Sequence, residues 1–194
     1  MEFRVRKWYN SGIRLKGDSG MKQEALEVLR NRRAIRSYKE EQVPADLLQK
    51  VLEMGTYAPT AGGRQKPYIV AVQDPDTVKL LKKLNGRVMG NEDADPYYGA
   101  STIILVLAPK DYALAELDCA SILVNMLNAA YAVGLGSVWV HRSHEVFEYE
   151  EGKALLKKWG FEEELQGVCS MALGYPEGEH PEAAPRKEGY VRIF

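Results

Sequence analysis

Arg32-Arg33-Ala34-Ile35-Arg36-Ser37-Tyr38 gathers three guanidinium groups into five residues, directly after a short amphipathic stretch. An arginine fork binds phosphate bidentately and keeps its charge at any working pH. The stretch therefore reads as an anion clamp of fixed geometry. Further on, Ala58-Pro59-Thr60-Ala61-Gly62-Gly63-Arg64-Gln65 is a run of mostly small residues, in which backbone can lie close to a flat ligand. A third run, Pro185-Arg186-Lys187, stands near the C-terminus. Alone, the arginines suit a solvated basic helix end that complements the helix dipole. Together, the three runs point to one phosphorylated, planar cofactor gripped by distant parts of the chain.

Around these runs the chain alternates helices and strands. A helix is expected over Lys22–Arg30, with Leu26 and Leu29 on one face. Pro44 suits a first helical position, and Leu47, Leu48, Val51 and Leu52 follow at helical spacing until Gly55 and Pro59 end the pattern. Tyr68–Val72 reads as a strand. Asp74-Pro75 opens a helix expected to end near Leu84, and the Gly- and Asn-rich residues 85–99 read as a polar loop. Thr102–Leu107 is apolar on both sides and so reads as a central strand. From Asp111 a long helix is expected up to a C-cap at Gly134. Its small residues Ala115, Ala120, Ala129 and Ala130 suit the centre of a domain or a subunit interface. Ser137–Val140 is expected as a strand, Tyr149–Trp159 as a helix and Val168–Leu173 as a strand, with Tyr190–Phe194 as a candidate terminal strand. Helices mixed with four or five strands make an α+β domain.

Bulk properties narrow the function. The chain has 194 residues, enough for one domain with a core, and its net charge is −1. Bulk charge gives no reason to expect nucleic acid or membrane-surface binding. No apolar run reaches spanning length and the start carries no apolar leader core, so a cytoplasmic protein is expected. Cys119 and Cys169 lie far apart in apolar segments and read as reduced, buried thiols. Residues 1–20 lack periodicity and read as an N-terminal extension foreign to a domain spanning 21–194. Lys16-Gly17-Asp18 can be encoded by a purine-rich ribosome-binding run, so Met21 is the expected start; an arm packing on a partner subunit is the alternative. His141 and His144 are spaced H-x-x-H, but without an acidic partner nearby they make a poor metal site, and none is expected. Gly134-Leu135-Gly136 follows a helix and lacks a third glycine, so it is no dinucleotide fingerprint.

The ordered set of motifs resembles the FMN-dependent nitroreductase family. The family's R-R-S-x-R-x-[FY] box stands here as Arg32–Tyr38, and its A-P-[ST]-x-x-N-x-Q loop as Ala58–Gln65. Gly134–Arg142 is similar to its isoalloxazine-edge segment, and Arg186 to its basic tail. The resemblance runs from about Met21 to the end. It implies a mixed, mainly antiparallel sheet flanked by helices, in an intertwined homodimer with FMN at the interface. By the same resemblance Arg32 and Arg36 hold the phosphate, helped by Arg186 and Lys187. Arg33 would lie near the pyrimidine edge through its backbone, and Ala34 is counted with the cofactor-binding residues. Pro59, Thr60, Ala61, Gly63 and Gln65 would approach from the partner chain. Trp139 and Val140 would line the cofactor, with backbone N–H groups near His141 and Arg142 meeting flavin N5. The Arg142 side chain reads either as a contact for an anionic substrate or the nicotinamide phosphates, or as a surface residue.

The implied activity is transfer of hydride from NADH or NADPH, through the flavin, to a small electron-poor acceptor in a two-half-reaction cycle. Three positions depart from the family pattern: Gly63 stands for Asn, Ala34 for Ser and Ala184 for Lys. Each removes a polar contact. They keep open a flavin carrier without turnover. A flavin-consuming or dehalogenating relative and an anion-binding interaction protein are further alternatives.

Overall fold

The computed structural model describes residues 19–194. The expected extension over residues 1–20 therefore falls largely outside the described residues. The chain forms two units that divide between Asn31 and Arg32. In the first, α1 (Ser19–Asn31) contains the predicted helix, and its Leu26 and Leu29 are exposed.

The second unit is built on one sheet. β1 (Tyr68–Val72), β2 (Thr102–Pro109), β3 (Gly136–Val140) and β4 (Leu165–Gly174) lie in the order β1-β2-β4-β3, each neighbouring pair antiparallel. β1 and β3 are thus the two outer strands. β2 is buried along its whole length because alternate residues feed two cores. Ile103, Leu105 and Leu107 face one, and Ile104, Val106 and Ala108 the other. A bulge between Val106 and Leu107 shifts the pairing of β2 with β4.

Five helices complete this unit: α2 (Ala45–Thr56), α3 (Pro75–Val88), α4 (Ala115–Ala132), α5 (Ser143–Val146) and α6 (Glu150–Lys158). α3, α5 and α6 cover one face of the sheet, placing Leu81, Leu84, Val146 and Leu155 in the first core. α2 and α4 cover the other face through Val51, Leu123 and Met126. The start of α3 is fixed by Asp74, whose carboxylate accepts from Thr77 N at 3.0 Å while Pro75 takes the first turn. α6 carries Glu150 and Glu151 at its start and Lys157 and Lys158 at its end, in the sense the helix dipole favours.

The α+β expectation with a mainly antiparallel sheet agrees with this architecture. The one parallel pairing among the described residues is an isolated bridge, Ala34 to Ser137. Four details differ from the sequence reading. α3 continues beyond Leu84 to Val88, into what reads as a polar loop. α4 begins at Ala115 rather than Asp111, because successive turns occupy residues 109–115, Tyr112 N bonding Pro109 O and Ala115 N bonding Tyr112 O, both at 3.1 Å. The short α5 was not expected. Tyr190–Phe194 adds no strand, and its four apolar side chains are exposed.

Candidate functional site

The arginine box runs beside the outer strand β3. Ile35 N donates to Ser137 O at 3.0 Å, and two further backbone bonds, Lys39 N to Tyr175 O and Glu177 N to Ser37 O, tie the box to the chain that leaves β4. Two buried side chains anchor it. Ile35 lies on Gly136, where a Cβ would meet it at 3.0 Å, and Tyr38 lies on Gly174 in the same way. The Tyr38 hydroxyl donates to Ile35 O at 2.7 Å, and burial raises its pKa. Ile35 and Tyr38 thus fix where the arginines stand.

Arg32 and Arg33 are half-buried and Arg36 is exposed. Arg33 Nη1 donates to Arg32 O at 2.8 Å. Partial burial, and then the neighbouring charge of Arg33, lower the Arg32 pKa. Among the described residues no carboxylate forms an ion pair with Arg32 or Arg36. A desolvated guanidinium beside a second one, without a bound acid, is a seat that an anion would relieve.

The small-residue loop lies elsewhere, leading into β1 at the opposite edge of the sheet. It leaves α2 through Ala58, and Thr60 turns into a single 3-10 turn over Ala61–Gly63. Gly62, Gly63 and Gln65 take positive φ values of 60°, 66° and 49°. The turn is held by Asp118, a buried carboxylate of α4. It accepts from Ala61 N at 3.0 and 3.2 Å and from the Tyr112 hydroxyl at 2.6 Å. Thr60 Oγ1 closes the loop by accepting from Gln65 N at 3.1 Å. A cavity of about 290 Å³ opens beside it, lined by Thr60, Gln65, Gly55, Tyr68 and Ile122.

Asp118→Ala should cost roughly 2–4 kcal/mol of stability, because it leaves the Ala61 amide and the Tyr112 hydroxyl without their charged acceptor. Urea denaturation measures this; a midpoint within error of wild type would show that the turn holds itself.

The end of β3 carries the third group of residues. Trp139 and His141 face α4, with ring centroids 6.0 Å apart. With His144, Glu116, Gln166 and Cys169 they line a cavity of about 440 Å³. Val140 points the other way, into the first core. Arg142 is half-buried and left-handed, with φ 74°. Its Nε donates to Asn85 Oδ1 at 2.9 Å, so the side chain is engaged within the fold. Asn85 Nδ2 donates to His141 O at 2.8 Å, and Ser170 Oγ donates to Val140 O at 3.0 Å. The Tyr97 hydroxyl lies 3.1 Å from Ser170 Oγ.

Where the tail begins, Pro176 and His180 line a small cavity with Arg33 and Ile35. Arg186 donates to Ala184 O, from Nε at 3.1 Å and Nη2 at 2.5 Å, and Lys187 is exposed. The fold therefore brings Arg32, Arg33 and Ala34 to the β3 edge and Trp139–Arg142 to the end of that strand, while Pro59–Gln65 lie at the opposite edge. Asp118, Asn85, Tyr97 and Ser170 were not singled out from the sequence. For Asp118 and Asn85 a signal was present: each continues the apolar stripe of its helix.

The described domain is thus an α+β sheet with the arginine box at one edge and the glycine-rich loop at the other. Residues 29–175 match the model of the nitroreductase family, and the chain belongs to that family. It is 30% identical over 164 residues to an Archaeoglobus fulgidus protein provisionally named NADH dehydrogenase/NAD(P)H nitroreductase, covering 81% of this chain and 88% of that one. Among solved structures, a Bacteroides fragilis nitroreductase with bound FMN superposes with a TM-score of 0.81 at 29% identity, over 88% of this chain and 98% of that one. A Desulfitobacterium hafniense nitroreductase with bound FMN shares the fold, at a TM-score of 0.77 and 23% identity, with the same coverage.

Proposed function

We propose that this chain is an FMN-dependent oxidoreductase that takes hydride from NADH or NADPH and delivers it to a small electron-poor acceptor such as a nitroarene, a quinone or an activated alkene. The observation that carries the reading is the Arg32–Arg36 box: beside β3, among the described residues, neither the half-buried Arg32 nor the exposed Arg36 forms an ion pair with a carboxylate, in a chain of the nitroreductase family. The Bacteroides fragilis relative carries FMN and the Archaeoglobus fulgidus relative is named for NADH and NAD(P)H, which supports the same cofactor pair here.

The residues present fit that group. Arg32 and Arg36 would hold its phosphate, joined by Arg186 and Lys187 of the tail. Arg33 and Ala34 would pass along its pyrimidine edge through their backbone. Trp139, Val140, His141 and Arg142 would border its reactive edge. When bound, flavin supplies the redox chemistry: two electrons and a proton are received as hydride at N5 and then passed to the acceptor. The protein's part is to orient the rings, place a donor at N5 and exclude competing reactions.

Pro59, Thr60, Ala61, Gly63 and Gln65 enter this reading only through a second copy. Their loop leads into β1, three strands from β3, roughly 14 Å at the usual inter-strand spacing. A loop at that edge reaches a ligand at the β3 edge when two chains pack with their sites between them. On this reading the protein is a homodimer with the cofactor at its interface. Among the described residues no helix is long and apolar enough to cross a membrane. Cys119 and Cys169 are buried and unbridged, which suits a reducing, cytoplasmic setting.

The test is an absorbance spectrum of the purified protein, taken anaerobically before and after NADH and NADPH. Flavin bands that bleach with either nucleotide support the enzyme. Bound flavin that neither nucleotide bleaches favours the carrier, which Gly63, Ala34 and Ala184 allow by removing polar contacts. No flavin uptake, even after added FMN, overturns the reading.

A further inference from the structure

Asn85, Tyr97 and Ser170 are each at most 1% exposed. Polar groups buried this deeply are costly unless bonded. Here their bonds converge on one short segment, the end of β3. Ser170 holds the Val140 carbonyl and, through its hydroxyl, Tyr97. Asn85 holds both the His141 carbonyl and the Arg142 guanidinium. A side-chain amide can do both, since it offers a donor and an acceptor on one rigid plane. The reverse amide orientation would face a donor with the Arg142 Nε–H.

Arg142 also has a left-handed backbone, unfavourable for any residue with a Cβ, so some force must hold it there. Asn85 supplies that force from two sides. Because a trans peptide sets C=O and N–H in opposite directions, turning the His141 carbonyl toward Asn85 turns the Arg142 N–H away from it. We propose that Asn85 is a positioning residue for the reaction: its buried amide clamps the His141–Arg142 peptide so that the Arg142 N–H is presented at the edge where flavin N5 would lie. The proposal rests on the flavin reading above, and it gives the Arg142 side chain a structural role in place of a contact to substrate.

Asn85→Leu removes both bonds with a side chain branched at the same atom, and Asn85→Asp keeps an acceptor for Arg142 while losing the donor to His141. The first readout needs no cofactor. Hydrogen exchange at the Val146 and Phe147 amides, which bond to Arg142 O and Ser143 O, is expected to speed up on the order of tenfold in flavin-free Asn85→Leu, about the worth of one buried bond. The second readout is the bound flavin. FMN affinity should hold, since the phosphate seat is untouched, while the NADH bleaching rate falls about tenfold and the midpoint potential shifts, with Asn85→Asp showing the same direction. Unchanged exchange in both variants overturns the clamp. Faster exchange with an unchanged potential and bleaching rate overturns its role toward the flavin. Wild-type protein that takes up no flavin overturns the functional reading itself, and the role toward N5 with it. If Asn85→Leu does not fold, Asn85→Asp and the half-exposed Arg142→Lys, which lacks the planar Nε donor, carry the same two readouts.

Discussion

Arg36→Ala is expected to weaken FMN binding by about 1.5–3 kcal/mol, the worth of a hydrogen bond to a charged group. That is about 10- to 150-fold in dissociation constant, enough for flavin to be lost on desalting. Arg32→Ala should do the same for a second reason. Its guanidinium is already partly desolvated and stands beside Arg33, so the free protein carries a like-charge strain that the phosphate relieves. Arg36→Lys should fall between, because an ammonium offers a point charge and no fork. Fluorescence titration with FMN, repeated at several salt concentrations, measures each; the exposed Arg36 should show the steeper salt dependence. Arg186→Ala reports whether the tail joins the seat. Full flavin retention in both Arg36→Ala and Arg186→Ala would sink the phosphate assignment.

Gly167→Ala should be among the most damaging single-methyl changes in the protein. Gly167 lies on β4 next to the bulge, and a Cβ there would sit 2.3 Å from Ser143 O and 2.5 Å from Phe147 Cδ2. Phe147 is 1% exposed and cannot swing away, and the other contact is backbone. Overpacking of this kind costs about 3 kcal/mol, which for a domain of this size lowers the melting temperature by roughly 6–12 °C. Gly63→Ala is the control. A Cβ at Gly63 meets nothing within 4 Å, so only the left-handed backbone resists it, at about 1–2 kcal/mol. Differential scanning calorimetry of the two variants decides the matter: equal melting temperatures would mean that α5 shifts freely away from β4. Because α5 directly follows Arg142, the damage to Gly167→Ala should extend to flavin reduction.

What the sequence made legible were the elements whose pattern and burial agree. β1 coincides with its predicted span, and β2 was readable because burial on both faces leaves an unbroken apolar run. The box and the glycine loop were readable because three arginines and a Gly-Gly pair are rare enough to stand out. Asn85 was hidden by its neighbours. Gly86, Gly90, Asn91, Pro96 and Gly99 make residues 85–99 look like loop throughout, yet Leu81, Leu84, Asn85 and Val88 continue one helical stripe. Asp118 was hidden by Glu116, with which it looks like an ordinary acidic first turn. It lies on the same stripe as Ala115, Cys119 and Ile122, the buried face of α4. In both cases a lone polar residue on an apolar stripe was the signal, and composition masked it. That the box and the loop flank opposite edges of the sheet was beyond the sequence, since strand order depends on which strands pair.

The placement of the arginine box has a consequence for solubility. An outer strand offers a row of unpaired amides and carbonyls to any passing chain, and proteins usually cover or charge such an edge. Here residues 34–38 shield β3, through Ile35 N to Ser137 O and the buried Ile35 and Tyr38. The segment proposed to grip the phosphate is therefore also the guard against edge-to-edge aggregation.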